Sequence, residues 1–335
     1  MKNHERKNIL FVSKGKDSAS TRYRALAYFT ALQSSGWRPL HLTVRGTLPR
    51  LKLLGIAKQA EVVVILRKTF SSPFLRLLRL CSKNLVFDLD DAVFCRSDGE
   101  PSKSRQMSFE KVTSICEQVW AGNLYLADRA RQYNEAVKIL PTSLDYRKYL
   151  LEVEKNPKHF DLVWIGSRST QKYLKESLPL LESLSEIIPN LRLKIVADFD
   201  LPTKRLKTVA VPWSDEVEAE ALASAHVGIA PMSDNSWTKG KCGLKVLQYM
   251  AAGLPVISSP AGVNREIVQQ GISGFLAENA GDWKTAIERL FRDSELRHSM
   301  GKAGQKRVIE CFSVDATFRK MSKVLNALVR GRQSG

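Results

Sequence analysis

The 335-residue sequence has few cysteines, and none of them stands at the spacing of a metal or redox motif. There are five, an odd number, and no CxxC pair occurs. A disulfide framework needs paired cysteines and a zinc site needs clustered ones, so neither is expected here. Scattered free thiols are typical of a reducing compartment, and the sequence therefore predicts a cytoplasmic protein.

Long apolar runs are also missing. A helix that spans a bilayer needs about 18 or more consecutive apolar residues, and no such stretch is present. The first residues, MKNHERKNILFVSKG, contain only a short apolar run and no small-residue cleavage site. This pattern argues against a signal peptide, so we expect a chain that is neither exported nor inserted in a membrane.

Acidic residues are scarce relative to basic ones. The sequence has 34 Asp and Glu against 52 Lys and Arg, and its formal net charge is +18. Such an excess favours anionic partners, which include nucleic acid, acidic lipid head groups and phosphorylated ligands. No helix-turn-helix, RNP or OB signature is present, so specific recognition of nucleic acid is not predicted. A sequence-independent nucleic-acid-binding protein stays open as an alternative.

The basic residues concentrate between positions 45 and 83, where Glu61 is the only acid. Two segments there, LPRLKLLGIAKQA and FSSPFLRLLRLCSK, add leucine, isoleucine and phenylalanine at helical spacing. Each helix alone fits an ordinary surface helix equally well, but the whole cluster favours an anionic membrane interface. We call it the basic patch; it comprises Arg45, Arg50, Lys52, Lys58, Arg67, Lys68, Arg76, Arg79 and Lys83.

Short β-branched runs alternate with amphipathic helical stretches along the whole chain. Strands that alternate with helices form parallel sheets through right-handed crossovers. The pattern restarts after a polar break, LEVEKNPKHFD, and the chain is long enough for two cores. The sequence therefore predicts an α/β protein with two doubly wound, Rossmann-like domains, 1–155 and 156–312, and a final segment, 313–335.

Several polar clusters stand where predicted strands end. SKGKDSAST follows the first strand, DLDD ends the fourth, and GSRST follows the first strand of the second half. Ligands of open α/β sheets bind beyond the carboxyl ends of the strands, so we expect a ligand site in a cleft between two facing domains. The first loop lacks GxGxxG, which argues against a nicotinamide cofactor.

The stretch KGKCGLKVLQYM, residues 239–250, concentrates positive charge at the start of an apolar helix. If the helix begins near Cys242, then Lys241, Lys245 and Gln248 share one helix face. Lysine is unfavourable in the first turn unless an anion lies there, and the free N–H groups of that turn bind phosphate. The segment predicts a phosphate site; a solvated loop is the alternative.

The segment CGLKVLQYMAAGLPVISSPAGVNREIVQQGISGFLAE resembles the donor-binding half of family 4 glycosyltransferases. The resemblance implies a GT-B fold and retaining transfer of a sugar from a nucleotide sugar. It covers most of the chain and is densest from Asp161 onward, in LVWIGSRSTQKYL and VPWSDEVEAEALASAHVGIAPMSDNSWTKGKCG. The family's paired glutamates are absent, since Gly240 and Gln248 stand in their places. The chain is closer to a subgroup with KCGxKxxQYM there.

The resemblance also implies roles for single residues. Gln248 would bind the donor ribose, because an amide both donates and accepts hydrogen bonds. Lys241 would act as a catalytic group by neutralising the leaving diphosphate, and Lys245 would assist from the next turn. The last stretch, FSVDATFRKMSKVLNALV, resembles the helix that returns to the first domain in this family.

Further donor-site candidates have simpler alternatives. The presence of each residue is explained about as well by a structural role as by donor binding. These structural roles are a turn, exposed charge at a helix start, core packing or a helix cap. These candidates are Gly15, Arg168, Lys172, Trp213, Met232 and Glu266.

Asp88 and Asp91, in NLVFDLDDAVF, are predicted to contact acceptor hydroxyls or to supply a base toward the acceptor. Alternating aspartates bind a metal in the other large glycosyltransferase fold, but that fold has one domain. No metal or other cofactor is required if lysines and helix dipoles carry the phosphate charge. A cluster that caps a helix is the alternative interpretation.

Together these features predict a glycosyltransferase of cell-surface polysaccharide or lipopolysaccharide biosynthesis, peripheral on the inner face of the cell membrane. The second domain would bind the nucleotide sugar and the first a glycan or lipid-linked acceptor. A non-catalytic transferase-like protein and a nucleotide-sugar epimerase of the same fold stay open as alternatives.

Overall fold

The computed structural model describes residues 6–331, and the chain divides into two compact units. The first unit runs to Ser143 and adds Lys239–Cys242 and the chain from Val314 onward. The second unit comprises Leu144–Thr238 and Gly243–Ser313. The predicted domains differ from these units at several points, and their outermost residues, 1–5 and 332–335, lie outside the described part.

The predicted border after residue 155 lies inside the second unit, because the chain already packs there from Leu144 onward. The backbone N–H of Leu144 donates to the carbonyl of Phe312 at 3.1 Å. Tyr149 is buried within the same unit. The polar break, residues 151–161, is mostly a loop before the first strand of the second unit, and it begins several residues after that unit starts.

The first unit contains a six-stranded sheet in which all neighbouring strands are parallel. Its strands are β1 (Lys7–Ser13), β2 (Trp37–Thr43), β3 (Val62–Leu66), β4 (Leu85–Leu89), β5 (Gln118–Ala121) and β6 (Val137–Ile139). Their order is β2-β1-β3-β4-β5-β6, so the winding direction reverses between β1 and β3. Ligands of such sheets bind outside the carboxyl ends of the strands at this reversal.

Helices connect the strands of the first unit. They are α1 (Ala19–Arg24), α2 (Phe29–Ser34), α3 (Leu48–Gln59), α4 (Ser72–Cys81), α5 (Lys103–Ile115) and α6 (Leu124–Arg131). The helix at the end of the chain, Val314–Gly331, packs into the same core through Met321, Leu325 and Val329. This apolar stripe recurs every four residues, which places it on one helix face.

The second unit contains another parallel six-stranded sheet. Its strands are β7 (Phe160–Ile165), β8 (Leu191–Ala197), β9 (Lys207–Pro212), β10 (Val227–Ala230), β11 (Val256–Ser258) and β12 (Gly274–Leu276). The order β12-β11-β10-β7-β8-β9 reverses between β7 and β10. Both halves are therefore doubly wound, as predicted.

The remaining helices begin after β7. They are α7 (Gln171–Ser185), α8 (Glu218–Ala223), α9 (Ser236–Lys239), α10 (Leu244–Ala251), α11 (Asn264–Ile267), α12 (Ala280–Arg292), α13 (Ser294–Arg307) and the final helix, α14 (Val314–Gly331). Trp164, Leu193 and Ile287 are fully buried in the core of this unit. Among the helices of residues 6–331, none combines the length and the hydrophobicity that crossing a bilayer requires.

Candidate functional site

The DLDD segment ends β4 in the first unit, and its first carboxylate is held in a buried ion pair. Arg24 of α1 binds Asp88 with two N–O distances of 2.6 and 2.7 Å, and it also donates to the carbonyl of Leu140. Burial opposes the charge of Arg24, but Asp88 more than offsets this and raises the pKa of the guanidinium. Both side chains are at most 3% exposed. This placement argues against the predicted acceptor contact of Asp88, because Arg24 occupies both of its oxygens.

The other two aspartates of the segment lie beside Arg67, which follows β3. Arg67 lies 3.3 Å from Asp90 and 2.5 Å from Asp91, and it donates to the hydroxyl of Ser20 at 2.6 Å. The backbone of Arg67 has a φ of 50°, in the left-handed region that residues other than glycine rarely adopt. The backbone strain is tolerated because three contacts hold the side chain in place.

Lys241 completes this group of charges. Its Nζ lies 2.8 Å from Oδ1 of Asp91, within the first unit. Asn123, at the N-cap of α6, donates to the carbonyls of Lys239 and Lys241 at 3.1 and 3.0 Å. The pair with Asp91 neutralises part of the charge that the predicted diphosphate contact of Lys241 needs.

The start of α10 corrects the helical interpretation of the lysine segment. Gly243 has a φ of 69°, and α10 begins only at Leu244. The predicted common helix face of Lys241, Lys245 and Gln248 is therefore wrong, since a left-handed turn separates Lys241 from the helix. Lys245 and Gln248 belong to the second unit, whereas Lys241 belongs to the first.

Close packing holds the segment Lys239–Cys242 in the first unit. A Cβ on Gly240 would lie 2.6 Å from both the Cβ and the backbone nitrogen of Ala92. The thiol of Cys242 donates to the carbonyl of Asp90 at 3.4 Å. Burial, followed by the charge of Asp90, raises the pKa of this thiol, so it stays neutral and is not a nucleophile.

In the second unit, Gln248 is 4% exposed and lies in a hydrogen-bonded chain. Its Nε2 donates to the hydroxyl of Tyr149 at 3.2 Å, and that hydroxyl donates to Glu218. Glu218 also accepts from the indole of Trp213 at 2.7 Å and lies 3.3 Å from Lys148. These hydrogen bonds orient the side-chain amide of Gln248 through its Nε2.

The sequence alone does not point to Tyr149 or Glu218. The predicted border after residue 155 places Tyr149 in the first domain, next to the polar break, and Glu218 is one acid among several in SDEVEAEAL. No motif marks either residue. Only the fold brings them together with Trp213 and Gln248.

Lys245 lies above the indole ring of Trp164, with its Nζ 4.3 Å from the ring centroid. Trp164 is near the carboxyl end of β7, beside the reversal in strand order. Gly166 follows, and a Cβ there would lie 2.3 Å from the Trp164 ring. Lys245 therefore lies near the strand ends at which such sheets bind ligands.

The other donor-site candidates are dispersed over both units. Gly15 follows β1 in the first unit, and its Cβ position would lie 3.2 Å from Nη2 of Arg45. Arg168 is 71% exposed and pairs with Asp198. The Nζ of Lys172 lies 4.9 Å from the ring centroid of Tyr173.

Two candidates follow later strands of the second unit. The backbone N–H of Met232 donates to the hydroxyl of Ser259 at 3.0 Å, which joins the loops after β10 and β11. Glu266 lies on α11 with an exposed side chain, and its carbonyl accepts from Arg307 at 2.6 Å. Within residues 6–331, no three His, Cys, Asp or Glu side chains are grouped as metal ligands.

Part of the basic patch is neutralised by acids of the first unit. Arg67 pairs with Asp90 and Asp91, Arg79 with Glu117, and Lys83 with Glu61. Leu53, Leu75 and Leu78 of α3 and α4 face the core, whereas other leucines of these helices are exposed. These exposed leucines are Leu48, Leu51, Leu77 and Leu80.

Part of the chain is similar in sequence to known glycosyltransferases. Residues 159–293 match the family described as glycosyl transferases group 1. The putative glycosyltransferase EpsD of Bacillus subtilis is 28% identical over 184 residues, which are 50% of this chain and 45% of EpsD. The sulfoquinovosyl transferase SQD2 of Arabidopsis thaliana is 31% identical over 147 residues, 40% of this chain and 28% of SQD2. The chain thus spans less than half the length of these curated relatives.

Solved structures are similar over nearly the whole chain. HepE of Anabaena, in complex with UDP and glucose, has a TM-score of 0.70 at 14% identity, with 96% of this chain and 100% of HepE covered. Sucrose-phosphate synthase of Thermosynechococcus elongatus has a TM-score of 0.73 at 16% identity, with 97% and 100% covered. The fold is GT-B, as predicted.

The packing of Gly240 yields a test. Gly240→Ala should lower the free energy of unfolding by about 1–3 kcal/mol, because the new methyl group meets the backbone of Ala92. Gly55→Ala, in α3, is the matched control: its Cβ position has open space, and alanine should stabilise the helix by about 0.5–1 kcal/mol. Denaturant unfolding measures both, and equal stability of the two variants would contradict the packing of Gly240.

Proposed function

We propose that this chain is a glycosyltransferase whose second unit binds a nucleoside diphosphate sugar as the donor. The match of residues 159–293 carries the proposal, since that segment contains every strand of the second sheet. HepE has been solved with UDP and with UDP-glucose, which supports a donor of this class. Retaining transfer to a glycan or lipid-linked acceptor, in cell-surface polysaccharide or lipopolysaccharide biosynthesis, belongs to the same proposal.

The donor would bind at the start of α10. The N-cap residue of this helix, Gly243, has no side chain to cap the first-turn N–H groups, and such groups bind phosphate. Lys245, one residue into the helix, adds a positive charge for the diphosphate. Gln248, whose Nε2 is directed to Tyr149, would present its carbonyl oxygen to a ribose hydroxyl. Trp213, Met232, Arg168, Lys172 and Glu266 are further proposed donor contacts.

Replacing Lys245 tests the diphosphate contact. Lys245→Ala should weaken binding of a nucleoside diphosphate about tenfold or more and that of the nucleoside little, because one charge-assisted contact is lost. Gln248→Ala should weaken the nucleoside and the diphosphate equally. Calorimetry, with the nucleotide first chosen by a thermal-shift panel, measures both, and Lys302→Ala, an exposed lysine of α13, is the control. Unchanged diphosphate binding by Lys245→Ala would refute the contact.

For the transfer step we propose Lys241 as the group that stabilises negative charge and Asp91 as its orienting partner, with Gly15 in a loop near the reacting groups. The 2.8 Å pair between Lys241 and Asp91 supports a fixed position for the ammonium group. Fixed positive charge lowers a barrier at which a phosphate leaves, and this needs no metal ion or other cofactor. Product analysis separates the alternatives, since an epimerase converts the donor without acceptor and a non-catalytic protein leaves it unchanged.

We also propose that α3 and α4 bind an anionic membrane surface at its cytoplasmic side. The two helices pack together and expose Leu48 and Leu80, whose side chains are 80% and 83% exposed. Lys52 and Arg76 are exposed on the same helices. Exposed leucines beside basic side chains provide the apolar and electrostatic contacts that interfacial helices use.

Charge reversal tests this surface. Lys52→Glu with Arg76→Glu should abolish most sedimentation with vesicles that contain phosphatidylglycerol, because each basic residue near such a surface contributes about 1 kcal/mol. Arg79 is unsuitable for the test, since it pairs with Glu117. The control, Lys302→Glu with Lys306→Glu on α13, makes the same change of charge on the second unit. If the wild-type protein does not sediment with these vesicles, or if both double variants lose binding to the same extent, the membrane proposal fails.

A further inference from the structure

The reversal of strand order in the first unit lies between β1 and β3, with β2 on the far side of β1. The chain that leaves each of these strands carries a basic residue: Lys14 after β1, Arg45 after β2 and Lys68 after β3. A fourth, Arg50, lies in the first turn of α3. We call these four side chains the crevice cations, because ligands of doubly wound sheets bind at this position.

A direct contact joins Arg45 to the backbone of Lys14. The Nε of Arg45 donates to the backbone carbonyl of Lys14 at 2.7 Å. Nη2 of the same guanidinium would lie 3.2 Å from a Cβ on Gly15, so the glycine leaves room for it. The loops after β1 and β2 are thereby joined, with the guanidinium beside the loop after β1.

A pair of aromatic rings supports the other two crevice cations. The guanidinium carbon of Arg50 lies 5.7 Å from the ring centroid of Phe74, and Nζ of Lys68 lies 5.3 Å from that of Phe70. The two rings are 5.0 Å apart. Arg50 and Lys68 thus occupy neighbouring positions on one aromatic surface, and both are half-buried.

The crevice cations differ in their partners from the arginines nearby. Arg24 and Arg67 are matched by the aspartates of DLDD, but within residues 6–331 none of the crevice cations forms an ion pair. Burial and the charges of Lys14, Arg50 and Arg45 lower the pKa of Lys68. In addition, Nε of Arg50 is buried and has no hydrogen-bond partner among the described residues. The site has surplus positive charge and an unused donor.

We propose that the crevice cations bind a phosphate or diphosphate group of the acceptor, an inference that rests on the proposed transferase function. A group with two or more negative charges and several oxygens matches converging ammonium and guanidinium donors better than a neutral sugar does. The flanking surface of α3 is apolar, since Leu48 and Leu51 are 80% and 62% exposed. The acceptor is therefore a phosphate ester of a lipid, with its chain beside these leucines.

Binding of decyl diphosphate tests the inference directly, with octyl β-glucoside as the uncharged amphiphile and inorganic pyrophosphate as the soluble anion. Wild type should bind decyl diphosphate, and Arg50→Gln with Lys68→Gln should weaken this binding about tenfold or more. Lys302→Gln with Lys306→Gln removes the same charge from exposed positions of α13 in the second unit, and it should bind as wild type does. Circular dichroism and melting confirm that each variant is folded.

The outcomes are separable. Stronger binding of decyl diphosphate than of pyrophosphate supports a lipid-linked phosphate, and equal binding that the crevice variant still weakens supports a soluble phosphate at the same site. If decyl diphosphate binds no better than octyl glucoside, or binds the crevice variant as tightly as wild type, the inference is overturned. Nucleoside diphosphate binding by the crevice variant is measured in parallel. If the variant still binds the nucleoside diphosphate, the donor site is intact, and failure of the acceptor inference does not contradict the proposed function.

Discussion

The charge network at the end of β4 is the constraint on which the first unit depends. Arg24 binds Asp88 inside the core, and Asp91 accepts from Arg67 and Lys241 at its edge. These contacts join α1, the ends of β3 and β4, and a segment more than one hundred residues later in the sequence. A buried charge that loses its partner costs about 3–5 kcal/mol, so each member requires the others. The network thus fixes the strand ends around which the proposed acceptor site lies.

The second unit contains a hydrogen-bonded network around a buried acid, Glu218. Glu218 is buried and collects hydrogen bonds from Tyr149 and Trp213, and Tyr149 in turn accepts from Gln248. An amide held by its nitrogen has a defined oxygen, which is what recognition of a hydroxyl group requires. The amide of Gln248 therefore has partners that orient it. The two units therefore have different proposed ligands. The surplus positive charge of the first unit suits an acceptor phosphate, and the oriented amide of the second unit suits a ribose hydroxyl of the donor.

The fold was largely predictable from the sequence. Alternating strand and helix patterns and their restart after the polar break LEVEKNPKHFD reflect local periodicity, and both six-stranded sheets follow this periodicity. The candidate site was predictable only in part. Gln248 and Lys245 lie on α10 as expected, but Lys241 was misplaced because the left-handed turn at Gly243 has no signature distinct from a flexible glycine. The ion pair of Asp88 with Arg24 could not be predicted, because the two residues are 64 positions apart in the sequence.

The sequence by itself determined what depends on neighbours along the chain: the alternation of strands and helices, the apolar stripe of α14, and the surplus of basic residues between positions 45 and 83. The tertiary structure alone decided which charges meet. It matched Arg24, Arg67 and Lys241 with aspartates, yet within residues 6–331 it gave the crevice cations no ion pair. The physical reason is that an ion pair or a hydrogen bond acts over a few ångströms between atoms, whereas sequence patterns record only the order in which those atoms are linked.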